Sequence, residues 1–264
     1  MTIIVQKYGG SSLSTTEKVK LVAKQITATV DQGNRVVVVV SAMGKTTDEL
    51  VAKAKKFSTS PCQREMDMLV TAGERISMAL LSMAIHEEGV DAISFTGSQS
   101  GIITDNNHQG ANIIEVKPFR IEQNLCEKKV VIIAGYQGVS LKKEVTTLGR
   151  GGSDTTAVAM AAALNAERCE IYSDVDGVFS GDPNIIPQAR LLKEINYQQM
   201  QTMSEAGARV INKHAVDFAR RAGIKIFARK TNGVKGRQTV IGNTNTTSLE
   251  KTKNMLNPAL ASCL

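Results

Sequence analysis

Short, wholly apolar runs alternate along this chain with longer stretches in which apolar residues recur every three or four positions. Ile3 to Gln6 reads as a strand that ends at Lys7 and runs into the turn Gly9-Gly10-Ser11-Ser12. Ser14 with Glu17 three residues on reads as a capping box. Val19, Val22, Ala23, Ile26 and Val30 then share one helical face. Gly33 stops that helix. Val36 to Val40 is apolar at every position, so this strand has no solvent side and helices must cover both faces, the mark of a parallel sheet.

The alternation continues. Helices are predicted near 47–57 and 63–88, a strand from Asp91 to Phe95, a hairpin with exposed loops over 97–116, and a short helix near 117–126. The strand Val130 to Ala134 precedes a long polar, Gly-rich loop over 136–153. Thr155 to Asn165 is an Ala-rich helix and Cys169 to Tyr172 a strand. A loop with Gly177, Gly181, Pro183 and Pro187 follows, then helices near 197–205 and 212–222 and a strand from Ile224 to Ala228. Strands alternating with helices predict an α/β fold: a three-layer αβα sandwich with a mainly parallel central sheet. No internal repeat or linker divides residues 1–245, which read as one domain. Residues 246–264 form a polar tail without periodicity, expected to be disordered.

With 4% aromatic residues and no Trp, the core must be built from Val, Ile, Leu, Ala and Met. No apolar run approaches the roughly 20 residues of a membrane span, and the start lacks the features of a signal peptide. The expectation is a cytoplasmic protein with no membrane partner. Cys62, Cys126, Cys169 and Cys263 are scattered and form no CxxC or Cys/His pair, so they read as reduced thiols. The net charge of +7 fits either a nucleic-acid surface or attraction of small anions. The basic residues are dispersed and no aromatic platform accompanies them, which favours a basic cleft for small anions over a nucleic-acid partner.

Polar, Gly-rich turns follow most of the strands. In open α/β sheets ligands bind beyond the carboxyl ends of strands, so these turns should converge on one site. Four of them carry chemistry. Lys7-Tyr8-Gly9-Gly10-Ser11-Ser12 offers two glycines for close backbone approach to phosphate and an ammonium at the strand end; a plain tight turn is the competing reading. Ser41 to Asp48 supplies hydroxyls and a helix start suited to a carboxylate, or a hydroxyl that only caps the helix. Thr147-Leu148-Gly149-Arg150-Gly151-Gly152-Ser153-Asp154 sets a bidentate guanidinium and three glycines just before a helix; Asp154 could cap that helix or orient Lys7. Tyr172 to Asn184 has polar atoms for a ribose and base, and acidic groups that could help to hold Mg²⁺. A calcium loop is rejected there because the terminal Glu is missing.

Lys7 to Ser12, Ser41 to Leu50, Thr146 to Ala157 and Tyr172 to Pro183, with Gly73-Glu74 between them, resemble the signature segments of aspartate kinases in order and spacing. The resemblance covers roughly residues 2–245. It implies the amino acid kinase fold and transfer of the γ-phosphoryl group of ATP, with Mg²⁺, to the β-carboxylate of L-aspartate. Carried over by position, Lys7, Tyr8, Gly9 and Gly10 bind the phosphates, and Lys7 and Asp154 are catalytic. Ser41, Thr47, Glu74, Arg150, Gly151, Gly152 and Ser153 hold aspartate, with Glu74 on its ammonium. Ser173, Asp174, Phe179, Ser180, Gly181, Asp182, Pro183, Asn184, Arg209 and Val210 line the nucleotide site. No metal-ligating residue is assigned.

A carboxylate acceptor is ionised at neutral pH and needs no general base, so His86, His108 and His214 are expected to be structural or exposed. The chain departs from the family at Asn184, where Arg is common, and at Ile211-Asn212-Lys213-His214. Lys225, Lys230 and Lys235 are candidates for a second phosphate-facing cation. The resemblance implies a catalytic region without the paired regulatory ACT domains and without intrinsic feedback inhibition. A homodimer or a separate regulatory subunit is left open. So is a kinase for another acid or phosphate acceptor, such as glutamate, acetylglutamate or UMP, or a non-catalytic ligand sensor.

Overall fold

The computed structural model describes residues 1–183, 185–208 and 210–243. In chain order the elements are β1 (Ile3–Tyr8), α1 (Thr16–Asp31), β2 (Arg35–Val40), α2 (Thr46–Phe57), α3 (Gln63–Glu87), β3 (Ala92–Phe95), β4 (Ile102–Thr104) and β5 (Ile113–Val116). They continue as α4 (Phe119–Cys126), β6 (Val130–Ala134), β7 (Gln137–Ser140), β8 (Val145–Thr147), α5 (Gly152–Ala163) and β9 (Arg168–Ser173). The last are β10 (Glu194–Asn196), α6 (Tyr197–Glu205), α7 (Lys213–Ala222), β11 (Ile226–Lys230) and β12 (Gln238–Gly242).

Eight strands form the central sheet in the order β10-β12-β11-β9-β1-β2-β6-β3. Every neighbouring pair is parallel except β11 with β12. The continuous apolar run of β2 is explained by its two buried faces. Val37 and Val39 point into a core shared with α4, α5, α6 and α7, whereas Val36, Val38 and Val40 point into a second core with α1 and α3. This is the predicted three-layer sandwich. A smaller sheet, β5-β4-β7-β8, stands beside it.

Beneath the strand ends lies a buried polar knot. Glu170, 1% exposed, accepts from Gln6 Nε2 (2.9 Å) and Tyr172 Oη (2.8 Å) and pairs with Arg168 (2.8 Å) and Arg229 (2.9 Å). Burial pushes this carboxyl up, but Arg229, with the Arg168, Gln6 and Tyr172 bonds, outweighs it and leaves Glu170 below the ordinary range. The Tyr8 and Tyr172 rings stack at 4.7 Å beside it. The knot fastens β1, β9 and β11 to one another just below the site.

Several sequence expectations shift. Thr15, with extended backbone, caps α1 by accepting from Lys18 N, while Ser14 turns back to the Ser11 carbonyl. Within the polar 136–153 stretch lie β7 and β8, short strands whose buried residues include Gln137 and Ser140, so no apolar alternation marked them. The 97–116 hairpin forms as β4 and β5. The edge strand β10 and its neighbour β12 were not read from the sequence. Helix α3 is, among the described residues, the one helix long and apolar enough to cross a membrane by length and composition. Linear runs missed it because Asp67, Glu74 and Arg75 interrupt them, and it packs against α1, β3, β6 and β8. Cys62, Cys126 and Cys169 are free; Cys263 and the 246–264 tail lie outside the described residues.

Glu170→Gln should lower unfolding stability by about 3 kcal/mol, because it keeps the shape but removes the buried negative charge that pairs with two guanidinium groups. Urea titration at pH 7 checks this.

Candidate active site

Strand alternation sets the site. On β1, Lys7 lies in register between Val39 of β2 and Ile171 of β9 and faces α5, so Tyr8 must face the other way. Lys7 Nζ sits 2.7 Å from Asp154 Oδ1 in the first turn of α5, with the two side chains 13% and 11% exposed. Asp154 is fixed in turn by the Asn212 N–H, which donates to Oδ2 at 3.1 Å. The ring of Tyr8 is wholly buried against Tyr172, and its hydroxyl donates to Gln6 Oε1. Of the first-loop candidates, Tyr8 therefore meets the site only through its backbone, where its carbonyl accepts from Ser41 N.

Of the two glycines of the first loop, Gly10 serves packing: a Cβ there would stand 2.6 Å from the Ala42 carbonyl oxygen, whereas one on Gly9 would meet Lys7 Nζ only at ordinary contact distance, 3.7 Å. Gly9 N–H donates to the Tyr172 carbonyl and Gly44 N–H to the Gly10 carbonyl. The loops after β1, β2 and β9 are thus laced backbone to backbone. Helix α2 starts without a side-chain cap, and the Thr46 hydroxyl goes instead to the Met43 carbonyl. Ser41 follows β2 directly, and Thr47 lies in that uncapped first turn.

Glu74 reaches the second loop from α3. Its Oε1 accepts from Ala42 N at 3.2 Å, while Oε2 is buried without a partner, and the residue is 3% exposed. Gly73 permits this approach, since a Cβ there would meet Ala42 Cβ at 2.8 Å. Burial, only partly offset by hydrogen bonds, pushes the Glu74 carboxyl up to about 7. A buried carboxylate with one orphaned oxygen is costly alone and suited to a ligand carrying an ammonium group.

On the far side, Gly151 takes the left-handed conformation (φ 77°) at the start of α5. A Cβ there would collide with the Asn212 side chain, which donates to the Arg150 carbonyl at 2.9 Å. Gly152 and Ser153 open the helix, and the Arg150 side chain is exposed. Asn212, flagged as a family departure, also caps α7 by accepting from His214 N. It therefore ties both Arg150 and Asp154 in place. Sequence reasoning missed it because an Asn before a helix signals only a cap.

Tyr136 was missed too. It holds a left-handed backbone (φ 69°), and its N–H donates to Thr156 Oγ1. Burial raises its hydroxyl above the ordinary range; a Thr147 bond lowers it, the Glu74 and Asp67 charges raise it, and Arg150 lowers it. Tyr136 thus stands among Thr147, Glu74, Asp67 and Arg150. A bulky residue in that conformation is uncommon and points to a constrained site.

The Tyr172–Pro183 loop leaves β9 beside this centre. Ser173 Oγ accepts from Val175 N, and the Ser173 carbonyl accepts from Thr231 N. Asp174 is exposed, Phe179 bridges to Leu191, and Ser180 exchanges bonds with Arg190. Gly181 packs beside Ile186, and the Asp182 carbonyl accepts from Ile185 N just past Pro183. Val210 packs on the core. Asn184 and Arg209 lie outside the described residues. Of the three candidate lysines, Lys230 stands in register with Ser173, where this loop begins. His108 contacts Asp67, and His86 and His214 are exposed.

The amino acid kinase family profile matches residues 2–229. The chain belongs to the amino acid kinase family. It is 53% identical over 243 residues, 92% of its length, to the aspartokinase of Mycobacterium tuberculosis, and spans 58% of that relative's length. It superposes on the aspartate kinase of Synechocystis with a TM-score of 0.82 and 45% identity, covering 93% of this chain and 40% of that one. E. coli aspartokinase III, crystallised with aspartate and ADP, matches with a TM-score of 0.85 and 25% identity over 93% of this chain and 65% of that one.

Glu74 is held neutral by the fold below about pH 7 although an unfolded Glu ionises near 4.5. Its ionisation therefore lowers stability as pH rises through that interval, with the full effect above pH 7. Glu74→Gln should raise stability at pH 8 by on the order of 3 kcal/mol and leave it nearly unchanged at pH 4.5. Denaturant titrations at the two pH values check the sign.

Proposed function

We propose that this chain transfers the γ-phosphoryl group of ATP to the β-carboxylate of L-aspartate, giving 4-phospho-L-aspartate and ADP. The observation that carries the reading is a pair of charges set for two different ligand groups. Lys7 and Asp154 form one near-buried pair where the strands end. Glu74 offers an orphaned oxygen to a cation on the α3 side. The similarity to aspartokinases over most of the chain, and the aspartate and ADP bound in the E. coli relative, support the same substrates.

The chemistry follows from electrostatics. The acceptor carboxylate is already ionised at neutral pH, and the obstacle is repulsion between two anions. Phosphoryl transfer is promoted by positioning and by positive charge aimed at the transferring group. Lys7 supplies that charge, and Asp154 keeps its ammonium aimed. The Gly151–Ser153 amides at the start of α5 favour an anion through the helix dipole. Arg150 takes a substrate carboxylate, and Glu74 takes the α-ammonium. Ser41 and Thr47 border the amino acid, and the Ser173–Pro183 loop borders the nucleoside.

Among the described residues no three His, Cys, Asp or Glu side chains gather into a metal cage. Mg²⁺ would arrive on the phosphates with most of its waters, as Mg²⁺ prefers. The acidic groups of the Tyr172–Pro183 loop, exposed Asp174 among them, would help to hold it, and the ion would neutralise charge on the phosphates.

Lys7→Ala should lower turnover at least about a hundredfold, the size of losing one main charge stabiliser. Coupled ADP release with aspartate, glutamate and UMP as acceptors, with hydroxamate trapping of the acyl phosphate, tests both substrate and residue. Activity with glutamate or UMP and none with aspartate would overturn the reading. Arg150→Ala should chiefly raise the aspartate KM in the same assay, with the ATP KM nearly unchanged.

A further inference from the structure

Asp67 has no place in the chemistry above, yet it is fully buried on α3, seven residues before Glu74. That spacing is about two helical turns, so the two carboxylates share a face about 10 Å apart along the axis. Asp67 Oδ1 accepts from Thr147 Oγ1 at 2.5 Å, Gln109 Nε2 at 2.7 Å and Gln109 N at 3.2 Å. Its Oδ2 lies 2.6 Å from His108 Nδ1. With Asp67 ionised, the ring carries a proton on Nδ1. No Lys or Arg shares this carboxylate among the described residues. A wholly buried carboxylate is expensive, and a core helix needs none to pack.

What Asp67 holds is the approach to the Arg150 loop. Its donors come from the 105–112 connection and from the end of β8. Those two segments are joined by Ala111 N–H donating to the Thr147 carbonyl at 2.8 Å. The Gln109 carbonyl lies against Gly149, where a Cβ would meet it at 3.4 Å, and Gln109 itself is left-handed (φ 60°). Next to Thr147, the Leu148 N–H donates to the Tyr136 carbonyl at 2.9 Å, and the Tyr136 ring lies against Gly152 at the start of α5. One contiguous run of contacts thus leads from Asp67 to Arg150 and Gly152.

We infer that Asp67 is a positioning residue that fixes the distance between the two ends of the amino-acid subsite. Glu74 and Asp67 ride on one rigid helix. Glu74 takes the ammonium, and Asp67, through Thr147, Gln109 and His108, sets how far away the carboxylate-binding loop stands. This rests on the aspartate reading of the site. Its consequence is discrimination by length: the fixed span admits aspartate and crowds an acid one methylene longer. Discrimination of one methylene is worth about 10- to 200-fold in related settings.

The test is steady-state kinetics of the whole chain with aspartate, glutamate and ATP varied in turn, on the wild type, Asp67→Ala and His108→Ala, with unfolding midpoints alongside. Asp67→Ala should raise the aspartate KM at least about tenfold, since small misplacements of a binding group carry such losses. The ATP KM should stay within about twofold, and the aspartate-over-glutamate ratio of kcat/KM should fall at least about fivefold. His108→Ala should shift the same quantities in the same direction by about threefold. Unchanged aspartate KM and unchanged ratio, or an equal rise in the ATP KM, would overturn the inference whatever the midpoint does. If Asp67→Ala does not fold, His108→Ala and Thr147→Val decide by the same criteria. A wild type inactive with aspartate would sink the functional reading and this inference together; an active wild type with unaltered variants sinks the inference alone.

Discussion

Two side chains of opposite charge, Lys7 and Asp154, hold each other 2.7 Å apart in a corner nearly closed to water. Neither group could sit there alone without a large desolvation cost. The pairing depends on three elements meeting: the end of β1, the first turn of α5, and the Asn212 backbone that fixes the second oxygen of Asp154. It also depends on β1 keeping its register with β2 and β9, which the Glu170 knot beneath it secures. A slip of one residue would turn Lys7 into the α1 core and bring Tyr8 to the site.

Around this pair the glycines act as spacers. Gly10 and Gly73 let two segments close on the loop after β2, one from β1 and one from α3. Gly151 lets the Arg150 loop close on Asn212. Each close approach removes the room in which a water would otherwise screen charge. Glu74 is the result: a carboxyl raised to about 7 by its surroundings and left with one oxygen unmatched. The site is therefore electrostatically unfinished at Glu74, whereas Lys7 is already paired with Asp154.

Much of this was legible in the chain. The all-apolar Val36–Val40 run could only be a doubly covered strand, and the Gly-rich turns after strands were expected to converge, as those after β1, β2 and β9 do. The residues that escaped were polar ones doing tertiary work. Tyr136 sat in what read as a plain loop, Asn212 read as a departure, and Asp67 lay unmarked inside a predicted helix. Strands β7 and β8 escaped for a related reason: their buried faces carry Gln137, Ser140 and Thr147, so no hydrophobic period marked them. Tyr8 differs in the other direction: a signature segment names neighbours in sequence, while β alternation sends adjacent side chains to opposite faces and leaves only the Tyr8 backbone at the site.

Sequence alone determined the layer architecture, the strand ends at which the polar turns gather, and the charged residues that stand there. These follow from local rules, namely hydrophobic period and turn chemistry, that act over a few residues. The tertiary structure decided which charges are paired, which are left open, and how far apart they stand. Gln6 and Glu170 are 164 positions apart and Asp67 and Thr147 are 80 apart, yet each pair is in contact. Distances of that kind are set only when sheets and helices close on one another and water is expelled between them.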